Sequence, residues 1–196
     1  LCMKAYPAYK DSGIEWLGEI PEGWGIAKVG RLMLLGRGRV ISNIEIGDNQ
    51  GDYPVYSSQT SNNGVMGYIN THDFDGEFVT WTTDGANAGT VFYRDGKFNC
   101  TNVCGTLKNT NGKIYHKFLP YQLNLGTKLY VRYDINPKLM NGEMAEIRIC
   151  IPTVQEQKSI ATYLDQKTQQ IDRLIEIKQR QIELLKEQRT AIINQA

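Results

Sequence analysis

The stretch from Val154 to Gln195 reads VQEQKSIATYLDQKTQQIDRLIEIKQRQIELLKEQRTAIINQ and contains neither Gly nor Pro. A run rich in Gln, Glu, Lys, Leu and Ile and free of helix breakers is expected to form one continuous helix. At ~1.5 Å per residue it would be roughly 63 Å long, against a usual helix of ~11–12 residues. Pro152, followed by Thr153 and Glu156 at the T-x-x-E spacing of a capping box, marks its start. In strict 4-3 steps the run places Leu164, Thr168, Ile171, Ile175, Lys178, Ile182, Leu185, Arg189 and Ile192 on one line. Six of these are large aliphatics, which predicts a coiled-coil seam. Lys178 and Arg189 interrupt it, and a charge at a seam position weakens packing while selecting register and partner. A second stripe, Leu174, Ile177, Leu184 and Ile193, makes the apolar face wider than one seam needs. The helix is therefore expected to meet more than one neighbour.

Composition changes sharply where this stretch begins. All 19 Gly and all six Pro lie before Thr153, as do all the aromatic residues except Tyr163. The fold class that follows is α+β: a mixed globular head with many short strands, residues 1–152, then one long C-terminal coiled-coil helix, residues 153–196. With 22 basic and 21 acidic residues spread over both parts, no basic tail points to nucleic acid by bulk charge. Any such binding would have to come from local geometry. The longest apolar run, Leu32 to Leu35, is far too short to span a membrane, and no secretory signal is recognisable. Four cysteines (Cys2, Cys100, Cys104, Cys150) fit free thiols in a reducing, cytoplasmic compartment. Cys100-x-x-x-Cys104 has a loose zinc-like spacing but no second matching pair, so no metal is expected. Leu1 and Cys2 precede Met3, the expected natural start.

Along the head, YKDSGIEWLGEIPEGWG (residues 9–25) reads as an ordered arm whose Trp16 and Trp24 plug onto the core. Ile26–Val29 alternates like a short strand. Arg31, Arg37 and Arg39 surround Gly36 and Gly38 in a basic, glycine-containing turn, which lacks the Gly-Lys-Ser/Thr ending of a phosphate loop. Short strands around Val55 and over Val65–Ile69 flank a polar tip, Ser57 to Gly64. Small hydroxyls and amides there can make turns, and they can also read base edges. Seven of them in a row, closed by Gly64 as the eighth residue of the tip, exceed what a turn needs. A second tip, Thr83 to Gly89, is nearly free of side chains; its Gly-x-x-x-Gly could cradle a phosphate or let another element cross. Residues 99–111 form another short strand, Tyr115–Asn124 is expected to be a short buried helix, and Met144–Ile151 alternates as a half-buried strand.

Catalytic signatures are missing. No Gly-x-Ser-x-Gly elbow, His-Glu-x-x-His or Gly-x-Gly-x-x-Gly is present, and Asn136-Pro137-Lys138-Leu139 lacks the second Pro and the aromatic of an amino-methyltransferase signature. A Cys100 nucleophile with His72 or His116 as base is conceivable only because such partners meet in space.

Two segments resemble the specificity (S) subunits of type I restriction–modification systems: the opening MKAYPAYKDSGIEWLGEIPEGW (residues 3–24), and the junction ICIPTVQEQKSIATYLDQK running into the helix. Between them YPVYSSQT and TTDGANAGTV are loosely similar to the same family. The resemblance implies a non-catalytic DNA-recognition subunit that reads one half of a split double-stranded site and scaffolds methyltransferase and restriction subunits. S-adenosylmethionine, ATP and magnesium would then belong to those partners, and this chain would carry no cofactor. The family's usual subunit has two recognition domains and two long helices; this chain has one of each. Antiparallel pairing of two copies through the helix would replace the missing half. From residue chemistry and loop placement, Ser58, Gln59, Thr60, Asn62, Asn63 and Asn87 are expected to read bases, and Arg37, Arg39, Arg94 and Lys97 to hold phosphates. The alternative is a coiled-coil protein-interaction module with no DNA reading of its own.

Overall fold

Two four-stranded sheets carry the head in the computed structural model, which describes residues 6–133 and 135–195. Cys2, Met3 and the first residues of the S-subunit-like opening lie outside the described residues. The first sheet has the order β4-β11-β8-β9, built from β4 (Met33–Arg37), β8 (Phe78–Thr82), β9 (Val91–Arg94) and β11 (Cys104–Asn109), all antiparallel. The second has the order β6-β5-β10-β7, from β5 (Gln50–Tyr56), β6 (Val65–Ile69), β7 (Phe74–Asp75) and β10 (Lys97–Cys100). Its β5–β10 pair is parallel. Two ribbons complete the strands: β1 (Tyr9–Asp11) with β2 (Glu19–Pro21), and β3 (Gly25–Lys28) with β12 (Arg148–Ile151). The helices are α1 (Val29–Leu32), α2 (Asn43–Asp48), α3 (Leu119–Tyr130), α4 (Asn141–Glu146) and α5 (Val154–Gln195).

The chain divides into two compact units, one ending at Lys158 and the other starting at Ser159. In the first, β8 is buried at all five positions because β11 and β9 flank it and both its faces are covered. Trp81, its fourth residue, is fully buried, and its Nε1 donates to the Leu139 carbonyl at 2.8 Å, so the indole brings no unsatisfied donor into the core. Around it pack Val79, Leu107, Leu119, Leu123, Leu139 and Met144. A separate aromatic cluster, Phe74, Phe78, Phe98 and Tyr56, encloses Cys100 and Cys104 in the region of the second sheet.

The arm folds onto this head as its tryptophans suggest. Trp16 packs on α3, where a side chain on Gly126 would overlap its ring. Trp24 donates from Nε1 to Glu156 Oε1 at 3.3 Å, and Tyr6 donates from its hydroxyl to the same oxygen at 3.1 Å. Glu156 Oε2 accepts from Thr153 N and Oγ1 at 2.9 and 2.7 Å, while Thr153 Oγ1 accepts from Glu156 N. This is the capping box that the T-x-x-E spacing predicts, and α5 runs from Val154 to Gln195 as its sequence does.

Three local expectations are corrected. The helix expected over Tyr115–Asn124 starts at Leu119 and continues to Tyr130, because Pro120 occupies its first turn and Gly126 is held by the Trp16 ring. The alternation over Met144–Ile151 is split: Asn141–Glu146 is helical, its first turn closed by Met140 N donating to Glu143 Oε2 at 3.1 Å, and only Arg148–Ile151 pairs as a strand. The Gly36–Arg39 segment is not a turn. Arg37 pairs with Gly105, and Gly38 and Arg39 donate to the Cys104 and Cys100 carbonyls at 3.0 and 3.1 Å. A Cβ on Gly38 would overlap the Cys100 and Thr101 carbonyl oxygens, so this backbone approach requires glycine.

In the second unit, every described side chain from Gln166 onward is exposed. The seam residues Ile171, Ile175, Ile182, Leu185 and Ile192 are 49–67 % exposed, and Leu174, Ile177, Leu184 and Ile193 are 45–60 % exposed. Leu164, nearer the start, is half-buried. From Ile171 onward, neither apolar stripe is covered by the described residues.

Candidate nucleic-acid interface

Strand direction decides which loops meet. Register pairs Gly105 with Arg37 and Cys104 with Thr82, so the end of β4, the start of β11 and the end of β8 stand side by side. In the second sheet the parallel pairing of Cys100 with Tyr56 puts the ends of β10 and β5 together. Thr101 N donates to the Tyr56 carbonyl at 2.8 Å, and Thr83 N to the Val103 carbonyl at 2.9 Å. The Ser57–Gly64 tip, the Thr83–Thr90 tip, the Thr101–Val103 connection and the Arg37–Arg39 segment therefore gather at one end of the head. Asn87 Nδ2 closes the group by donating to the Ser58 carbonyl at 3.2 Å.

Within this group the polar residues divide their work. Ser58 is half-buried, and Thr60, Asn62 and Asn63 are exposed at the tip. Asn62 and Asn63 have φ of 49° and 52°, the left-handed region in which Asn is one of the few tolerant side chains. Both turn the chain and present an amide to solvent; Asn62 Nδ2 also reaches the Val65 carbonyl at 3.5 Å. Gln59 differs from the expectation, since its amide points inward and donates to the Val65 carbonyl. Asn87 likewise spends a donor on the neighbouring tip.

The expected phosphate ligands separate further. Arg37 is exposed, and its Nε donates to the Asn102 carbonyl at 2.6 Å without a carboxylate partner among the described residues. Arg39 is held between Glu45 and Asp73 at 2.6 and 2.9 Å. The Glu45 hydrogen bond raises its pKa, and Glu45 and Asp73 already occupy Nη2 and Nε, which a phosphate would need. Lys97 is exposed but begins β10, at the end remote from Cys100 and hence from the tips. Arg94 contradicts the expectation outright: only 3 % exposed, its guanidinium lies 3.6 Å from the Tyr56 ring centroid and 4.5 Å from that of Phe92. It cannot meet a phosphate from there.

The Gly-x-x-x-Gly alternative also resolves. Gly89 is where α3 crosses the tip: Thr127 Oγ1 donates to the Gly89 carbonyl at 2.6 Å, and Lys128 Nζ donates to the Ala88 carbonyl at 2.7 Å. Partial burial lowers the Lys128 pKa. The tip is packed against a helix by these bonds, so close crossing accounts for its small residues.

Sequence reasoning missed one contributor. The 131–138 loop joins the same end, with Gly85 N donating to the Pro137 carbonyl at 3.0 Å and Asn136 hydrogen-bonded to Asp84. It carries Tyr133 and Ile135, 69 % and 103 % exposed. Tyr133 and Ile135, apolar side chains alternating with the charged Arg132 and Asp134 just before Asn136-Pro137, were the available signal. The Cys100–His116 pairing does not form: His116 Nε2 accepts from Asn109 N at 3.1 Å, while Cys100 is buried with Cys104. Among the described residues no three His, Cys, Asp or Glu side chains gather to hold a metal ion.

The described residues thus form a small mixed head with polar loop tips gathered at one end, followed by a long helix with exposed apolar stripes. The chain belongs to the family of type I restriction modification DNA specificity domains, whose model matches residues 21–187. It is 55% identical over 130 residues to "Putative type I specificity subunit S.MpnORF289P N-terminus" of Mycoplasma pneumoniae, covering 66% of this chain and 70% of that one. It is 44% identical over 153 residues to the type I restriction enzyme MpnII specificity subunit of the same organism, covering 78% of this chain and 46% of that one. The fold matches the crystal structure of a type I S subunit from M. genitalium with a TM-score of 0.63 at 20% identity, over 79% of this chain and 42% of that one. The HsdS subunit of Thermoanaerobacter tengcongensis gives the same TM-score at 15% identity, over 84% and 41%. The chain thus spans less than half the length of several relatives that it matches.

Proposed function

We propose that this chain reads one half of a bipartite DNA site for a type I restriction–modification complex. The observation that carries the reading is the convergence of the polar tips at one end of a head whose family is defined by DNA specificity. The head, residues 1–152, is the target recognition domain, and residues 153–196 are the spacer and assembly helix. Ser58, Thr60, Asn62 and Asn63 are the base-reading candidates that the fold leaves presented, with Tyr133 and Ile135 able to meet thymine methyl groups. Arg37 is the phosphate contact with the least competition. The near-neutral head supports weak DNA binding by the chain alone.

The chain works without catalysis of its own, in the cytoplasm. Methyltransferase subunits, and restriction subunits in the larger assembly, bind S-adenosylmethionine, ATP and magnesium. The uncovered stripes of α5 serve assembly: one side pairs antiparallel with a second copy, and the other receives the methyltransferase subunit. Two copies then present two heads to a palindromic split site.

The test is to map methylated sites in cells that carry this chain with its methyltransferase partner. One split sequence is expected, and Thr60→Val and Asn63→Asp, which preserve shape, change it at particular bases. An unchanged sequence with altered assembly would favour the protein-interaction module instead.

A further inference from the structure

Among the described residues Arg94 is the only charged side chain that is buried, and none of the described carboxylates pairs with it. Taking a guanidinium out of water without a counter-ion is costly, and a buried cation normally has an anion beside it. Here two ring faces stand in. The guanidinium lies over Tyr56 and Phe92, its Nε donates to Thr80 Oγ1 at 3.3 Å, and Nη1 is buried with no partner. Burial lowers the pKa of Arg94 and raises that of Tyr56.

What this cation touches gives it a role. Tyr56 is the last residue of β5, so it is one foot of the Ser57–Gly64 tip. Gly64 is the other foot, with φ of +82°, and a Cβ there would stand 3.0 Å from Arg94 Nη2. The feet are joined by Ser57 N donating to the Gly64 carbonyl at 2.9 Å. Phe92 and Arg94 itself belong to β9, the strand leaving the other tip, and Asn87 binds the two tips together. One side chain thus contacts both ends of the loop that presents Thr60, Asn62 and Asn63.

We propose that Arg94 is the positioning residue of the recognition head, gripping both feet of the Ser57–Gly64 tip and so setting which of its side chains reach the DNA bases. This rests on the DNA-reading function proposed above. A planar guanidinium can lie flat between two rings while one edge reaches Thr80; a lysine ammonium, a compact point charge, cannot do both. Loss of the grip loosens the tip without removing any group that faces solvent.

Two readouts separate this from a merely structural role. By amide hydrogen exchange on the full chain, Arg94→Lys and Arg94→Met are expected to speed exchange over residues 57–64 by about tenfold or more, with β4 and β11 unchanged. With the methyltransferase subunit, methylated-site mapping is expected to show discrimination falling by about tenfold at bases within one half-site, the spacing between halves staying constant. Tyr56→Leu, which removes a stacking face and keeps the arginine, reproduces both effects and serves if the Arg94 variants fail to fold. A folded variant with wild-type exchange over the tip overturns the positioning role. Faster tip exchange with an unchanged methylated sequence overturns the specificity role. If the wild-type chain itself directs no sequence-specific methylation, the DNA-reading function fails, while the exchange experiment still reports on the grip.

Discussion

Glu156 joins three parts of the molecule, and replacing it tests the reasoning about the arm. Its Oε1 accepts from Tyr6 and Trp24, and its Oε2 from Thr153 N and Oγ1. Glu156→Ala removes one half of a capping box, which costs about 1 kcal/mol. It also strands the Trp24 and Tyr6 donors, which sit partly in water, adding roughly 1 kcal/mol together after allowing for that exposure. A total of about 2 kcal/mol in a chain of this size corresponds to a fall in Tm of roughly 4–8 °C. The carboxyl pKa lies below its ordinary value, chiefly through the Thr153 hydrogen bond, with the Trp24 and Tyr6 bonds adding to it. Because a depressed carboxylate contributes stability above its unfolded pKa, that share is present at neutral pH. It disappears as pH falls through the lowered folded value. Thermal melts of wild type and Glu156→Ala at pH 7 and then in steps through the acid range should therefore converge. Amide exchange over Tyr9–Trp24 should rise in the variant at neutral pH. A variant melting within a degree of wild type, with the arm's exchange unchanged, would show that Trp16 on Gly126 holds the arm and the carboxylate does not.

Ile175→Asp with Leu185→Asp puts charge on the uncovered seam of α5 and should give a folded monomer by light scattering; a persistent dimer would place the interface elsewhere. Gly38→Ala forces a methyl into the Cys100 and Thr101 carbonyls, and we expect a loss on the order of 2–4 kcal/mol in urea unfolding, with no loss meaning that the two sheets can part there. Burial pushes the Cys150 thiol up to about 11, so at pH 8 only about 0.1% of it is thiolate. Alkylation of native protein should spare Cys150 and label it after unfolding, whereas fast native labelling would contradict its burial.

What could be read without coordinates was whatever short-range rules govern. The 42-residue helix follows from the absence of Gly and Pro, and its start from Thr153 and Glu156 three positions apart in a capping box. The β5–β6 pair follows from short apolar runs that flank a polar tip. Ser58, Thr60, Asn62 and Asn63 were legible as a surplus of small polar groups, whereas the left-handed backbone of the Asn pair came only with the structure. The split of Met144–Ile151 between α4 and β12 was not legible, because a short alternating run satisfies either period and the Met140–Glu143 bond decided it.

Tertiary structure alone decided what each charged side chain is free to do. Arg37, Arg39, Arg94 and Lys97 are equivalent cations in the sequence. Strand order leaves Arg37 exposed at the tips, closes Glu45 and Asp73 around Arg39, sends Lys97 to the remote end of β10, and buries Arg94 between two rings. Local propensity depends on neighbours along the chain, whereas solvation and pairing depend on neighbours across it. The long helix was therefore determined by the sequence, and the gathering of the polar tips at one end by the fold.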